Sequence, residues 1–294
     1  AAANSVDELI RGIAENEKVV LNLRVEAEWS ALQRRDDEEK WEDAGDGKVT
    51  AWLLGMPGSK FRAETEDRTP WVGGPVPFAQ TKMVRAFDGR SQQFLYWTRG
   101  VPRPAGAKLR GQIVAERMIG FNDFASGWKM SIYGVTEGMG PKPLRFSEYL
   151  TEVSTLSGMS MDVSTTRVGE RECLQLTISR SGQALESYVL DHERGFALVE
   201  KKVFYSNGAV MYRVQVTGLL EAAPGVFYPS KAIQVSYRDT GREWAKLTYE
   251  AMKAVANDPK FSDEVFKIIW PRGTIIEDQI LICFTESETK RGSD

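Results

Sequence analysis

Strict alternation between apolar and polar residues is the feature that most constrains the fold of this chain. Over residues 21–29, Leu, Leu, Val, Ala and Trp occupy every second position, and Asn, Arg, Glu and Glu occupy the positions between them. A period of two places successive side chains on opposite faces of a strand. The segment therefore predicts a half-buried β-strand with a wet outer face.

Further segments of this kind recur along the chain and are separated by turn residues. The predicted strands that follow the first are 49–54, 61–65, 83–87, 92–98, 172–179, 184–191, 196–205, 210–218, 230–237 and 244–253. The turns between them contain glycine, at Gly45 and Gly47, Asp88-Gly89, Ser181-Gly182, Asn207-Gly208 and Thr240-Gly241. Such pairs supply the positive φ angles that tight hairpins need. We expect a mainly β fold, a meander of about eleven strands that must curl or close to bury its apolar face.

Helical patterns are few. Ser5 and Glu8 have capping-box spacing, and the apolar residues that follow recur at helical spacing, which predicts an amphipathic helix over 6–17. The segment 100–140 is irregular, apolar-rich and contains several Pro and Gly residues. Short helices are expected near 109–119 and at 147–156. A segment of this kind is either a lid or cover for the open face of a sheet, or ordinary loops packed on the core.

The charge balance argues against nucleic acid as a partner. The chain has 38 Lys and Arg against 41 Asp and Glu, a net charge of −3, which gives no general attraction to nucleic acid or to an anionic membrane. No stretch approaches the roughly 18 apolar residues of a membrane span. With no composition shift along the chain, we expect one domain over 1–294, with an ordered core at 5–284 and a polar tail at 285–294.

The compartment is less constrained. The small residues at 1–5 fit a mature end left by signal cleavage, and the alternative is a cytosolic protein with an arbitrary start. Cys173 and Cys283 could form one disulfide in an oxidising compartment, or remain two buried free thiols.

The residues needed for most enzyme and metal sites are missing from the sequence. His192 is the one histidine and lies in a predicted turn, which rules out a His-based zinc site and leaves a poor basis for a catalytic triad. The acidic run at 36–39 lacks the spacing of a calcium loop and is better interpreted as a solvated hairpin tip. No G-x-S-x-G elbow or phosphate loop is present. We therefore predict a binding protein without a cofactor or metal, and not an enzyme.

Aromatic residues and methionines are abundant in the strands and in the irregular segment. Most of these residues are expected in the hydrophobic core. A ligand cavity between the sheet and a lid would be lined by the same residue types. The candidate cavity residues are Leu23, Val25, Trp29, Trp52, Trp97, Met118, Phe121, Phe124, Trp128 and Met130.

Three short motifs resemble those of a known superfamily. Residues 265–278 resemble the closing segment F-x-x-x-x-P-x-G-T-x-V-x-D of outer-membrane lipoprotein-sorting-like proteins. Residues 190–196 resemble the L-D-x-x-x-G hairpin of that family, and 227–231 resemble its strand entry. The superfamily comprises the periplasmic lipoprotein carrier LolA, its outer-membrane receptor and the sigma-factor regulator RseB.

This resemblance implies a half-barrel, in which one curved antiparallel sheet has its concave apolar face covered by an N-terminal helix, short helices and loops. It implies an exported protein of the periplasm or cell envelope whose partners are lipids or lipoprotein acyl chains. We expect a monomer, at most peripheral to the membrane. The alternatives are a sensor or scaffold module that binds an envelope protein through the same fold and, more distantly, an enzyme acting on envelope polymers.

Overall fold

The computed structural model describes residues 5–35, 39–54, 60–70, 78–88, 91–99, 110–114, 136–137, 143–272 and 274–278. The helices are α1 (Val6–Val19) and α2 (Phe146–Thr155), with 3₁₀ turns at His192–Arg194 and Asp263–Phe266. The strands β1 to β6 are Asn22–Gln33, Glu42–Leu54, Lys60–Pro70, Phe78–Phe87, Gln92–Arg99 and Arg110–Val114. The strands β7 to β11 are Thr136–Glu137, Pro143–Leu144, Met159–Val168, Arg171–Arg180 and Gln183–Asp191. The strands β12 to β16 are Ala197–Phe204, Val210–Ala223, Val226–Tyr237, Glu243–Ala256 and Ile275–Asp278.

Fourteen of the described strands form one open sheet, in the order β16-β6-β5-β4-β3-β2-β1-β15-β14-β13-β12-β11-β10-β9. Neighbouring strands are antiparallel except β16, which pairs with β6 in parallel. The predicted class, a mainly β protein with an antiparallel sheet not closed into a barrel and an N-terminal helix, is confirmed. The strands exceed the expected eleven, and they form two meanders, β1–β6 and β9–β15, joined by the β1·β15 pairing.

The two helices cover one face of this sheet. Leu9 and Ile13 of α1 and Leu150 of α2 are fully buried, and they belong to the same core as Leu23 of β1 and Leu176 of β10. We call this covered side the inner face and the other side the outer face. Since the apolar alternation of β1 points Leu23 and Val25 at the helices, the strand's sequence decides which face is inner.

The ends of α1 are fixed by specific contacts. Ser5 Oγ accepts a hydrogen bond from the backbone N–H of Glu8 at 3.3 Å, so the predicted N-cap is confirmed. Near its other end, Asn16 Nδ2 donates to the carbonyl of Gly195 at 2.6 Å. The ring of Phe196 lies against Gly12, where an added Cβ would be 2.5 Å from the ring. The 190–196 motif therefore forms the turn that holds α1 on the sheet.

Three sequence predictions of local structure are wrong. Gly45 and Gly47 lie inside β2 rather than in a turn, because β2 begins at Glu42 and absorbs Gly45 at a bulge, with φ of 117°. Residues 110–114 form β6 instead of a helix, because they pair with both β5 and β16. The Pro and Gly of the closing motif at 265–278 are expected to end one strand and turn the chain into the last, but residues 267–270 before Pro271 belong to no strand.

The helix expected at 147–156 is confirmed as α2, and the turns at Ser181-Gly182, Asn207-Gly208 and Thr240-Gly241 are confirmed.

Cys173 is a buried free thiol, and Cys283 lies outside the described residues, as does the tail at 285–294. No helix of the described residues has the length and apolar character needed to cross a bilayer.

Candidate functional site on the inner face

The inner face of β2–β5 carries small and apolar side chains in two adjacent cross-strand rows. In the first row Ala51 pairs with Ala63, and in the second Val49 pairs with Thr65. The rows continue onto β4 and β5 through the pairs Ala63–Arg85, Thr65–Met83 and Arg85–Phe94. We call these seven residues the inner patch: Val49, Ala51, Ala63, Thr65, Met83, Arg85 and Phe94.

Exposure changes across the inner patch. Val49, Ala51, Ala63 and Thr65 are between 1% and 3% exposed, whereas the β4 and β5 members are only half-buried. The part of the patch that solvent reaches is therefore on β4 and β5.

Trp29 closes one end of this surface. Its indole Nε1 donates to Asp67 Oδ1 at 3.2 Å, across the intervening strand β2. The two side chains can meet because Gly47 lies between them, where an added Cβ would be 2.3 Å from Asp67 Oδ1. The hydrogen bond fixes the orientation of a large aromatic ring beside the inner patch.

The polar members of the patch are Thr65 and Arg85. Nε of Arg85 lies 3.1 Å from Met83 Sδ, and the guanidinium is 5.8 Å from the centroid of the Phe94 ring. The Thr65 hydroxyl is buried and has no hydrogen-bond partner. A cation and an unpaired hydroxyl therefore lie on neighbouring strands of a surface that is otherwise apolar.

The predicted cavity residues divide between the two faces. Leu23, Val25 and Trp29 share the inner face, although Leu23 and Val25 are packed in the core at 1% exposure. Trp52 lies on the outer face, between Arg24 and Arg62 at 5.7 and 5.9 Å from its ring centroid.

The other predicted cavity residues are less well placed by the structure. Trp97 pairs with Lys82 in the register of β4 and β5. Its position in the register is therefore on the face opposite that of Met83. Five further residues lie outside the described part of the chain: Met118, Phe121, Phe124, Trp128 and Met130.

The inner-patch residues on β3 and β4 were not among the predicted cavity residues. Their sequence signal is the alternation in 61–65 and 83–87, which indicates a strand but does not say which face meets the helices. The register between β1 and β2, and between β2 and β3, shows that these residues share a face with Leu23 and Val25.

The outer face has a different chemistry. A cross-strand row of charges runs through Lys231, Glu250, Glu28, Lys48, Glu66 and Lys82, and most neighbours in it form ion pairs. A groove of about 480 Å³ lies over this row and also includes Arg68 and Asp46, which are themselves paired. A face of exposed, mutually paired charges is a solvated surface rather than a binding site for an apolar molecule.

A buried carboxylate connects the two helices that cover the inner face. Glu17 of α1 accepts hydrogen bonds from the backbone N–H groups of Phe146 and Ser147, at 2.9 and 3.3 Å, and from the Ser147 hydroxyl. It thereby caps the N-terminus of α2. Burial raises the pKa of the Glu17 carboxyl, and these hydrogen bonds offset only part of that effect.

A second polar cluster joins α2 to the sheet. Glu186 accepts hydrogen bonds from Tyr149 at 3.0 Å and from Tyr188 at 2.5 Å, and the Lys201 ammonium lies 4.0 Å away. Burial, together with Glu186, raises the pKa of both tyrosines. All these groups have partners, so the cluster positions α2.

In the described parts of the chain, no group of three or more His, Cys, Asp or Glu residues could hold a metal ion.

No protein-family model matches the sequence, and no curated protein matches it. Solved structures resemble the fold at low sequence identity. A DUF1329 family protein from Desulfovibrio piger is 10% identical, with a TM-score of 0.48 over 90% of this chain and 98% of that chain.

Two further solved structures are also similar to this chain. A putative outer membrane lipoprotein-sorting protein domain from Vibrio parahaemolyticus is 9% identical, with a TM-score of 0.47 over 88% of this chain and 97% of that chain. A LolA superfamily protein from Nitrosomonas europaea is also 9% identical, with a TM-score of 0.43 over 90% and 99% of the two chains. What is shared is the fold.

Proposed function

We propose that this chain is an exported cell-envelope binding protein that carries an acyl chain of a lipid or lipoprotein against the inner patch. The observation that carries the proposal is the pair of small and apolar rows on β2–β5, which grades from buried to half-exposed. Each methylene removed from water contributes about 0.8 kcal/mol, so an acyl chain binds such a surface without any catalytic group.

The shape of the patch supports this ligand class. Ala51 and Ala63 are small and covered, while the half-buried Met83 and Phe94 provide deformable and flat apolar contacts. The location in the envelope rests on the resemblance of the three sequence motifs to lipoprotein-sorting proteins.

The proposal is tested by a pair of variants on one strand. Met83 and Lys82 are neighbours on β4 with side chains on opposite faces, and both are partly exposed. Met83→Gln places an amide in the apolar surface and should weaken binding of a fluorescent C12 fatty acid about tenfold. Lys82→Gln removes a partly exposed charge that pairs with Glu66 on the outer face and should leave binding unchanged.

Equal binding by both variants, at wild-type strength, would contradict the proposal. A melting curve for each variant serves as the control, because loss of binding is informative only when the fold is retained.

A protein-binding role is the second candidate, favoured by one observation. Val19 and Leu21, where α1 meets β1, are 52% and 64% exposed, which is unusual for neighbouring large apolar side chains at an ordered corner. A protein partner docked at that corner should bind the Met83→Gln variant as tightly as wild type, whereas an acyl chain on the inner patch should bind it more weakly.

A further inference from the structure

Thr65 is a buried polar member of the inner patch, a surface that is mostly apolar. Its side chain is 2% exposed, and its hydroxyl has no hydrogen-bond partner. Its cross-strand neighbours Val49 and Met83 offer only one weak acceptor, the Met83 sulfur, which Arg85 Nε already contacts at 3.1 Å.

Packing alone does not account for a threonine here. Valine has nearly the same shape, and it would fill the site without leaving a buried donor unpaired, which costs free energy. A hydroxyl that is unsatisfied in the free protein is satisfied when a ligand brings an acceptor to it.

Arg85 lies within reach of the same point. Ala63, its partner on β3, is two residues from Thr65, so Arg85 and Thr65 are diagonal neighbours on one face of the sheet. The contact of Nε with Met83 Sδ shows that the guanidinium extends along β4 towards the partner of Thr65. One head group could therefore meet both side chains.

We propose that Thr65 and Arg85 form the polar end of the inner patch, and that the ligand is an apolar chain that ends in an oxyanion. The hydroxyl donates one hydrogen bond to an oxygen of the head group, and the guanidinium supplies the opposite charge. This inference rests on the proposed function and adds to it the chemical class of the head group. A carboxylate and a phosphate both satisfy the requirement.

Calorimetric titration with dodecanoate, dodecyl phosphate and methyl dodecanoate tests the inference. At least one of the two anions should bind about tenfold more tightly than the neutral ester, and the stronger of the two identifies the head group. Arg85→Gln should remove most of that preference.

The Thr65 variants isolate the hydroxyl. Thr65→Val should weaken binding of the preferred anion about fivefold, because it removes a hydrogen-bond donor. The free variant should melt no lower than wild type, since a methyl group replaces an unpaired hydroxyl. Thr65→Ser keeps the donor and should bind like wild type.

The possible failures are distinguishable. If the anions and the ester bind equally, or if Thr65→Val leaves anion binding unchanged, the inference is wrong while the acyl-binding function stands. If none of the three dodecyl compounds binds, the proposed function fails, and the inference fails with it.

Discussion

Gly47 lies at the point where two side chains from neighbouring strands meet across β2. An added Cβ would lie 2.3 Å from Asp67 Oδ1, 2.7 Å from Trp29 Nε1 and 2.8 Å from the backbone carbonyl of Glu66. The close contact to Glu66 is with backbone, so it cannot be relieved by a side-chain rotation alone. A glycine is therefore needed here for close approach, although the sequence pattern indicates a turn.

Gly47→Ala should destabilise the protein by about 1–3 kcal/mol, because the new methyl group displaces Trp29 from Asp67 and overpacks the site. Urea denaturation measures the change. In a Trp29→Phe background the same substitution should cost less, since the indole N–H that clashes is already absent. If the losses in free energy of unfolding for Gly47→Ala and Trp29→Phe add in the double variant, the two residues are not coupled and this explanation is wrong.

At the scale of elements, Glu17 makes the two covering helices depend on each other. The carboxyl belongs to α1, while its hydrogen-bond donors belong to the first turn of α2. Because its pKa is raised on folding, the folded state binds this proton more tightly than the unfolded state. The stabilisation is fully present below the ordinary value of 4.5 and is lost as pH rises through the folded-state pKa.

Glu17→Gln should retain the geometry and remove this pH dependence. The amide oxygen can accept from both backbone N–H groups, and the amide nitrogen can donate to the Ser147 hydroxyl. The melting temperature of the variant relative to wild type should therefore increase from pH 4 to pH 7. Glu17→Ala is the control and should be less stable than Glu17→Gln by about 2–3 kcal/mol at both pH values, because it leaves buried donors unpaired. A variant-to-wild-type difference for Glu17→Gln that is constant with pH would contradict this account.

The sequence predicted some elements well and others poorly, for physical reasons. Segments with local signals were found: the capped helix α1, the strand β1 and the glycine turns of β10–β15. The edge strand β9 was missed, because beyond Val163 its alternation is carried by Ser, Thr and Arg rather than by large apolar residues. The joining of the two meanders through β1 and β15 involves residues more than 200 positions apart, which no local pattern reports.

The candidate site shows the same limit. Residues 51–54 are all apolar, so alternation does not indicate which of them face the helices, and Trp52 was assigned to the wrong side of β2 relative to Val25. Register settles the matter: Ala51 pairs with Val25 on the inner face, and Trp52 pairs with Arg24 on the outer face.

At the scale of the whole molecule, the sheet separates two chemistries. The outer face carries a row of paired charges across β14, β15 and β1–β4 and, over β4 and β5, a small cluster of Val84, Ala86 and Leu95 that Ile268 covers. The inner face carries the main core, the two helices and the inner patch. An acyl chain gains free energy on the half-buried apolar side chains of the inner patch and not on the row of paired charges.

Photocrosslinking with a diazirine-labelled C12 fatty acid, followed by peptide mass spectrometry, tests the central claim most directly. The label should be found on β2–β5 at inner-face residues such as Ala63 and Met83, and excess dodecanoate should remove it. Labelling confined to outer-face residues such as Trp52 and Lys48, or labelling that dodecanoate does not compete, would contradict an acyl-binding site on the inner face.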